Sequence, residues 1–362
     1  SNGTVHAWNP NYNGEVRSIA LSDYGIFLGG TFRSVGGTSR YCLAKVNYST
    51  GDLDNTWNAN LGGGAPLFPS GTFASVEAIL VTPFNNHLYV GGMFTTVNGV
   101  SRNSIARLDI TNGADTNFTL PTTSLLNYIH SIVRSSAGHT YIGGSFSFTD
   151  GTTFTNLIRL TIGQFASFDK NWTRQTNGPV YSLSIDGSNL YVGGQFTSFT
   201  NTATSFGNIA RINISTNTID SSWVPTTNGM INSVYVDGSD VYIGGEFSTV
   251  NNAEKWYCAK INSSTGLIDN SWNARVNGQI NAVSKASDKI YLGGDYDNSI
   301  ENNSKYFALI DDNYGEVLYP DTSFSSTEAV ITEIQPVENG VIVFGRNKGL
   351  KVFDTRYNVF RR

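Results

Sequence analysis

Apolar positions in this chain fall in short runs rather than at helical spacing, and one run recurs. Three mostly apolar residues, Gly-Gly, a variable residue and an aromatic occur as IFLGGTF at 26–32, LYVGGMF at 88–94, TYIGGSF at 140–146, LYVGGQF at 190–196, VYIGGEF at 241–247 and IYLGGDY at 290–296. A worn copy, VIVFGRN, spans 341–347. Aligning the first glycines at 29, 91, 143, 193, 244 and 293 with Gly345 gives spacings of 62, 52, 50, 51, 49 and 52 residues. A fixed period of this size marks a repeat architecture.

Two further landmarks keep the same phase. Asp-x-x-Trp occurs at Asp54–Trp57, Asp169–Trp172, Asp220–Trp223 and Asp269–Trp272, with Phe118 after Asp115 in place of Trp. Asn-Gly then opens the next apolar run, at Asn177-Gly178, Asn228-Gly229 and Asn277-Gly278. Between the glycine pair and the Asp lies a third run, SIARLDI at 104–110, NIARINI at 208–214 and YCAKINS at 257–263. Each unit therefore predicts four antiparallel strands divided by Gly, Asn, Ser and Thr turns, with no helical period. Seven units predict an all-β fold, a seven-bladed β-propeller of four-stranded blades forming a single domain over 1–362. The blades are placed at about 13–60, 75–121, 127–175, 177–226, 228–275, 277–322, and 326–362 plus 1–12.

The two ends complement each other. Trp8, Asn13-Gly14 and Val16 supply an outer-strand Trp and a first inner strand with no glycine pair before them, while the C-terminal unit stops after its third strand. Residues 5–10 are thus expected to be the fourth strand of the last blade, closing the ring and removing an open sheet edge. The chain opens on Ser1 rather than Met and reads as a processed or excised segment.

The repeat resembles the bacterial YVGG-type, or delta-sixty, surface propeller repeat, carried by runs such as Leu190–Gly194 with Trp223 closing the unit, and more distantly the kelch repeat. The resemblance covers essentially the whole chain. It implies a module of a secreted or surface-attached bacterial polypeptide, often one without an assigned activity. It carries architecture and leaves the chemistry to the individual residues.

Composition narrows the classes. Charged residues are 14% of the chain, and 23 basic against 28 acidic residues leave a net charge of -5, which argues against a nucleic-acid partner, since phosphate contacts need clustered Lys and Arg. No apolar stretch approaches the length of a membrane span. The two cysteines, Cys42 and Cys258, read as small core hydrophobes, and the four scattered histidines offer no metal set. The Asp of Asp-x-x-Trp reads as a turn residue, and the sequons at Asn47, Asn213 and Asn262 share one repeat position and read as turns rather than glycan sites. No cofactor and no metal are expected.

Candidate chemistry sits where a propeller's innermost strands meet its channel. These strands share the order apolar, variable, small, apolar, from Val16-Arg17-Ser18-Ile19 to Ile331-Thr332-Glu333-Ile334. The variable position collects Arg17, Glu77, His130 and Tyr181 on four consecutive units, then Asn232, Asn281 and Thr332. Such a ring suits a polar ligand, with Arg17 and Glu77 expected as a weak solvated pair. A carbohydrate-active enzyme of polysaccharide lyase kind, using Glu77, His130, Tyr181 and Arg17, is the alternative. A glycosidase would need two carboxylates, and the ring offers Glu77 with Glu333 near it in pattern. Loops on the same face add a second candidate, with Phe68 and Phe73 in the long first connection and Arg33, Arg40, Phe148, Phe154, Phe206, Trp256 and Tyr257 after the glycine pairs, although each aromatic taken singly reads first as packed under its own loop. The expectation is a non-enzymatic recognition or adhesion module, extracellular, on a cell surface or virion, binding a glycan or protein and forming part of a larger surface or fibre assembly. A spacer in a fibre is the remaining reading.

Overall fold

The computed structural model describes residues 10–63, 74–82, 86–116, 118, 128–149, 151–161, 167–296, 306–320, 330–337, 340–345 and 348–354. Among the described residues every regular element is a strand. Seven sheets there share one design: an inner strand, an antiparallel second strand carrying the glycine pair or, in the seventh, Phe344-Gly345, and a third strand beyond it. Their inner strands, which number the sheets first to seventh, are Val16–Ser22, Ser75–Thr82, Tyr128–Arg134, Val180–Asp186, Ile231–Asp237, Gln279–Ala286 and Ile331–Val337.

The expected fourth strand is formed as Thr218–Ile219 in the fourth sheet and Val317–Pro320 in the sixth. Elsewhere it shrinks to single bridges, Val46 to Leu53, Leu108 to Asp115, Leu160 to Phe168 and Ile261 to Ile268. A short outer strand leaves little unpaired edge to recruit another chain. Consecutive inner strands pack side by side, and the seventh packs against the first. That last contact includes a hydrogen bond in which Thr332 Oγ1 donates to the Val16 carbonyl at 2.6 Å. The proposed closing strand at 5–10 falls, but for Pro10, outside the described residues.

Every inner strand carries a β-bulge at one place. Pairing with the second strand slips between Val16 and Ser18, Val76 and Ala78, Ile129 and Ser131, Val180 and Ser182, Ile231 and Ser233, Ile280 and Ala282, and Ile331 and Glu333. A bulge leaves one residue unpaired and turns its side chain out of the pleat. The skipped residue is the variable one each time.

The glycine pair follows from this geometry. A Cβ on the first glycine would strike a branched side chain of the next sheet: at Gly193 it would lie 2.5 Å from Val234 Cγ2, at Gly244 2.4 Å from Ile280 Cγ2. A Cβ on the second would strike its own bulged strand, 2.2 Å from the Pro179 carbonyl at Gly194. One glycine therefore admits the neighbour and the other admits the bulge. The seventh copy aligns differently from its sequence reading. Ile331 pairs with Gly345 as Val16 pairs with Gly30, so Gly345 is the second glycine and Phe344 stands in place of the first.

The Asp-x-x-Trp motif is a turn fused to a packing element. Asp220 Oδ1 accepts from the Ser222 and Trp223 N–H groups, and its other oxygen takes Arg211 from the third strand. The same cation lies 5.5 Å over the Trp223 ring, an arrangement repeated by Arg159 over Trp172. Trp223 Nε1 reaches the next sheet and donates to the Asn262 carbonyl at 3.1 Å. Trp57, Trp172, Trp223 and Trp272 are all fully buried. Cys42 and Cys258 are buried free thiols, as expected of small core residues. Asn47, Asn213 and Asn262 each accept two backbone N–H groups in their own turns, which bears out the turn reading.

Gly193→Ala and Gly194→Ala test the packing argument. Each is expected to destabilise the protein by about 1–3 kcal/mol in urea unfolding, the cost of forced overpacking, with Gly194→Ala the larger because the obstacle is backbone. Unchanged midpoints would separate the glycines from sheet packing.

Candidate functional site

The bulge residues of all seven sheets line one central cavity of about 940 Å³: Arg17, Glu77, His130, Tyr181, Asn232, Asn281 and Thr332. Their positions are fixed by main-chain pairing on both sides of each bulge, so the ring is set by strands rather than loops.

Two halves of the ring use their polar groups differently. Asn232 Nδ2 donates to the Ile280 carbonyl at 3.1 Å, Asn281 Nδ2 to the Ile331 carbonyl at 3.2 Å, and Thr332 to Val16. Each of these side chains ties its sheet to the next. The small residue two places after the strand opening does the same from below, where Ser131, Ser182 and Ser233 accept from the Leu183, Val234 and Val283 N–H groups at 3.0–3.1 Å.

On the other half charge and aromatic contact dominate. Arg17 is fixed between two carboxylates, with Nη2 2.8 Å from Glu15 Oε2 and Nη1 2.7 Å from Glu77 Oε1. Glu77 also accepts from the Tyr128 hydroxyl at 2.8 Å. The pair expected to be weak and solvated is instead part of a network, and the Glu77 side chain keeps only 13% of its exposure. Burial beside Glu77 pushes the Tyr128 hydroxyl up to about 12. His130 stacks on Tyr128 with ring centroids 4.6 Å apart and meets Tyr181 edge-on at 5.1 Å. Burial outweighs the pull of Glu77 and pushes the imidazole down to about 4, so it is neutral at pH 7. The Tyr181 hydroxyl donates to Gln195 Oε1 at 3.4 Å.

Glu333 lines the same cavity one residue further along its strand than Thr332. Its counterparts are Ser18, Ala78, Ser131, Ser182, Ser233 and Ala282, each opposite a glycine, whereas Glu333 faces Phe344. Burial alone pushes its carboxyl up to about 8. Glu15, Tyr128 and Glu333 are contributors that the ring of variable positions omits. The sequence signal for the first two is the residue just before each strand opening, which varies as freely as the bulge position.

The loop candidates are not drawn to this cavity. Trp256 is 49% exposed on the hairpin after the fifth sheet's glycine pair and donates Nε1 to Glu254 Oε1 at 2.6 Å. Tyr257 packs half-buried against the cluster around Cys258 and Trp272. Phe148, Phe154 and Phe206 are buried, which is the packing under their own loops favoured for each singly, and they are lost as contact residues. Phe68 and Phe73 lie outside the described residues. Among the described residues no group of three or more His, Cys, Asp or Glu side chains could hold a metal ion.

The comparisons with known proteins concern architecture. A family model described as "Domain of unknown function (DUF5122) beta-propeller" matches residues 85–113. The WD40 β-propeller domain of Doa1 is similar in structure at a TM-score of 0.58 and 10% identity, over 97% of each chain. The computationally designed Ika8 protein matches at 0.56 and 12% identity, over 96% of this chain and 98% of that one. The extracellular domain of the putative one-component system BT4673 from B. thetaiotaomicron matches at 0.54 and 13% identity, and this chain spans 41% of its length. No curated protein matches the chain. These likenesses show the fold, an all-β propeller.

Two half-buried groups give the stability a defined pH profile. The folded pKa of His130 lies below its usual 6.5, so its contribution to stability rises with pH between about 4 and 6.5. That of Glu333 lies above its usual 4.5, so the folded state keeps a proton that the unfolded chain gives up, and stability falls as pH rises toward about 8. Between pH 6.5 and 8 Glu333 acts without His130. Wild-type melting temperature is expected to fall across that window, and Glu333→Gln to flatten the profile and melt higher at pH 8. A parallel fall in both proteins would place the titration elsewhere.

Proposed function

We propose that the chain is a seven-bladed propeller in one domain, working outside the cell as a non-catalytic recognition module that binds a surface glycan or protein at its channel mouth. The observation that carries the reading is the ring itself: seven variable side chains, one from each sheet, converge on one cavity while the backbone beneath them repeats. A site held by closed packing loses little ordering entropy when a ligand arrives. The seven sheets, the contact of the seventh inner strand with the first, and the Thr332 bond to Val16 support the blade count and the closure. The repeat's resemblance to surface modules, and the extracellular setting of the B. thetaiotaomicron neighbour, support a secreted, cell-surface or virion location within a larger assembly.

The lyase-like alternative is less favoured on chemical grounds. Neutralising a uronate carboxylate calls for a free guanidinium, and Arg17 already spends its donors on Glu15 and Glu77. A base that takes a proton at neutral pH should titrate near it, and His130 is held far below.

Glycan and peptide arrays probed with wild type, Tyr181→Ala and Trp256→Ala separate the possibilities. Tyr181→Ala is expected to weaken binding about tenfold, ~1.4 kcal/mol, without a change in melting, and Trp256→Ala to leave it unchanged. Binding that ignores Tyr181, or an unsaturated product released by wild type from a uronate polysaccharide, would overturn the reading.

A further inference from the structure

We propose that Glu333 anchors a cation-binding site inside the channel, and that its ligand is a lysine or arginine side chain of a protein partner inserted through the mouth. The inference rests on the recognition reading above and adds the ligand's chemistry.

The first argument is the missing partner. Glu333 lines the cavity half-buried, and among the described residues it has no hydrogen bond or ion pair, although its strand opens beside the tied Thr332. A half-buried carboxyl with no donor beside it favours keeping its proton or gaining a cation. The second is the balance of charge. Among the described residues Glu15, Glu77, Asp295 and Glu333 line the cavity against Arg17 as its one lining cation, and Arg17 is engaged by Glu15 and Glu77. Among the described residues the half-buried Glu333 and the exposed Asp295 are left without a counter-charge. The chain as a whole is acidic at -5, which steers a basic partner toward it.

The cation must bring its own hydrogen-bond donors, because no three-ligand metal set exists among the described residues. A basic side chain fits better than an amino sugar. Asn232, Asn281 and Thr332, which would read sugar hydroxyls, are committed to the neighbouring sheets, whereas Val330 and Pro336 on the Glu333 strand offer apolar wall to an aliphatic stem.

Binding includes a proton step. The Glu333 O–H bond breaks, its proton passes to solvent, and the carboxylate pairs with the incoming ammonium or guanidinium. Charged and titratable groups on the strands packed against it are Glu15 and Arg17 on the first sheet and Lys285, Lys289, Tyr291 and Asp295 on the sixth. Lys285 is engaged by Asp237 and Asp312, and Lys289 by Asp288, which leaves neither as an internal counter-ion.

Calorimetry with acetyl-Gly-Lys-Gly-amide and its Nε-acetylated form tests the proposal. The lysine peptide is expected to bind with release of a proton and about tenfold or more tighter at pH 8 than at pH 6, while the acetylated peptide binds at least about tenfold more weakly. Glu333→Gln should remove both the preference and the pH dependence while melting as a folded protein. Equal binding of the two peptides, or a preference that survives Glu333→Gln, would overturn it. Binding of a glucosamine oligomer that depends on Glu333, with no binding of the lysine peptide, would overturn the protein partner. Array binding that needs Tyr181 but shows no preference for basic ligands would leave the recognition reading standing and this inference refuted.

Discussion

The structure depends on a contact between a glycine on one sheet and a branched side chain on the next. At Gly29, Gly91, Gly143, Gly193, Gly244 and Gly293 an added Cβ would come within 2.3–2.5 Å of a Val or Ile on the following inner strand. Close packing at native density leaves no slack for such an atom. The same strand tolerates a bulge only because a second glycine clears the carbonyl beneath it. The bulge in turn ejects one residue per sheet from the pleat. A device required for packing thus creates, as a by-product, seven positions outside the pleat that line one cavity.

How those positions are used is a matter of electrostatics. In a channel of restricted solvent an unpaired charge is expensive, and the ring resolves most of its charge internally. Arg17 lies between Glu15 and Glu77, Tyr128 supplies Glu77 with a further donor, and His130 stays neutral between two aromatic rings. Asn232, Asn281 and Thr332 spend their donors on carbonyls of the next sheet. The ring is therefore held in place by contacts within the protein itself.

Much of this was legible in the sequence because the constraints are local. Val16 and Ile19, apolar three apart inside a strand, break the two-residue alternation as a bulge must, and Asp54 lies three residues before Trp57 because its carboxylate caps that turn. What was not legible depends on partners a whole repeat away. Nothing near Asn232 announces the Ile280 carbonyl, and nothing near Arg17 announces that Tyr128 will complete the Glu77 network. Phe148 and Phe154 take the favoured of their two readings: a hairpin longer than its counterparts carries them back over the core, where Phe168 stacks on both. The worn last copy lost one residue of register because Phe344 disguises the first glycine position.

That disguise is informative. Six sheets set a Ser or Ala against the first glycine, and the seventh sets Glu333 against Phe344. Phe344 is fully buried and packs with Ile342 among Val16, Ile19, Ile26 and Leu28, so the seam between the seventh and first sheets is filled by a side chain where the others are filled by close backbone approach. The two changes are coupled through one cross-strand pair. A repeat under strict packing pressure gains no stability from a half-buried carboxyl without a partner, and Phe344 alone would have sealed the seam against a Ser or Ala. The carboxyl is therefore an addition with a cost, at the one junction where the repeat is already broken, and such local violations are where function is expected to reside.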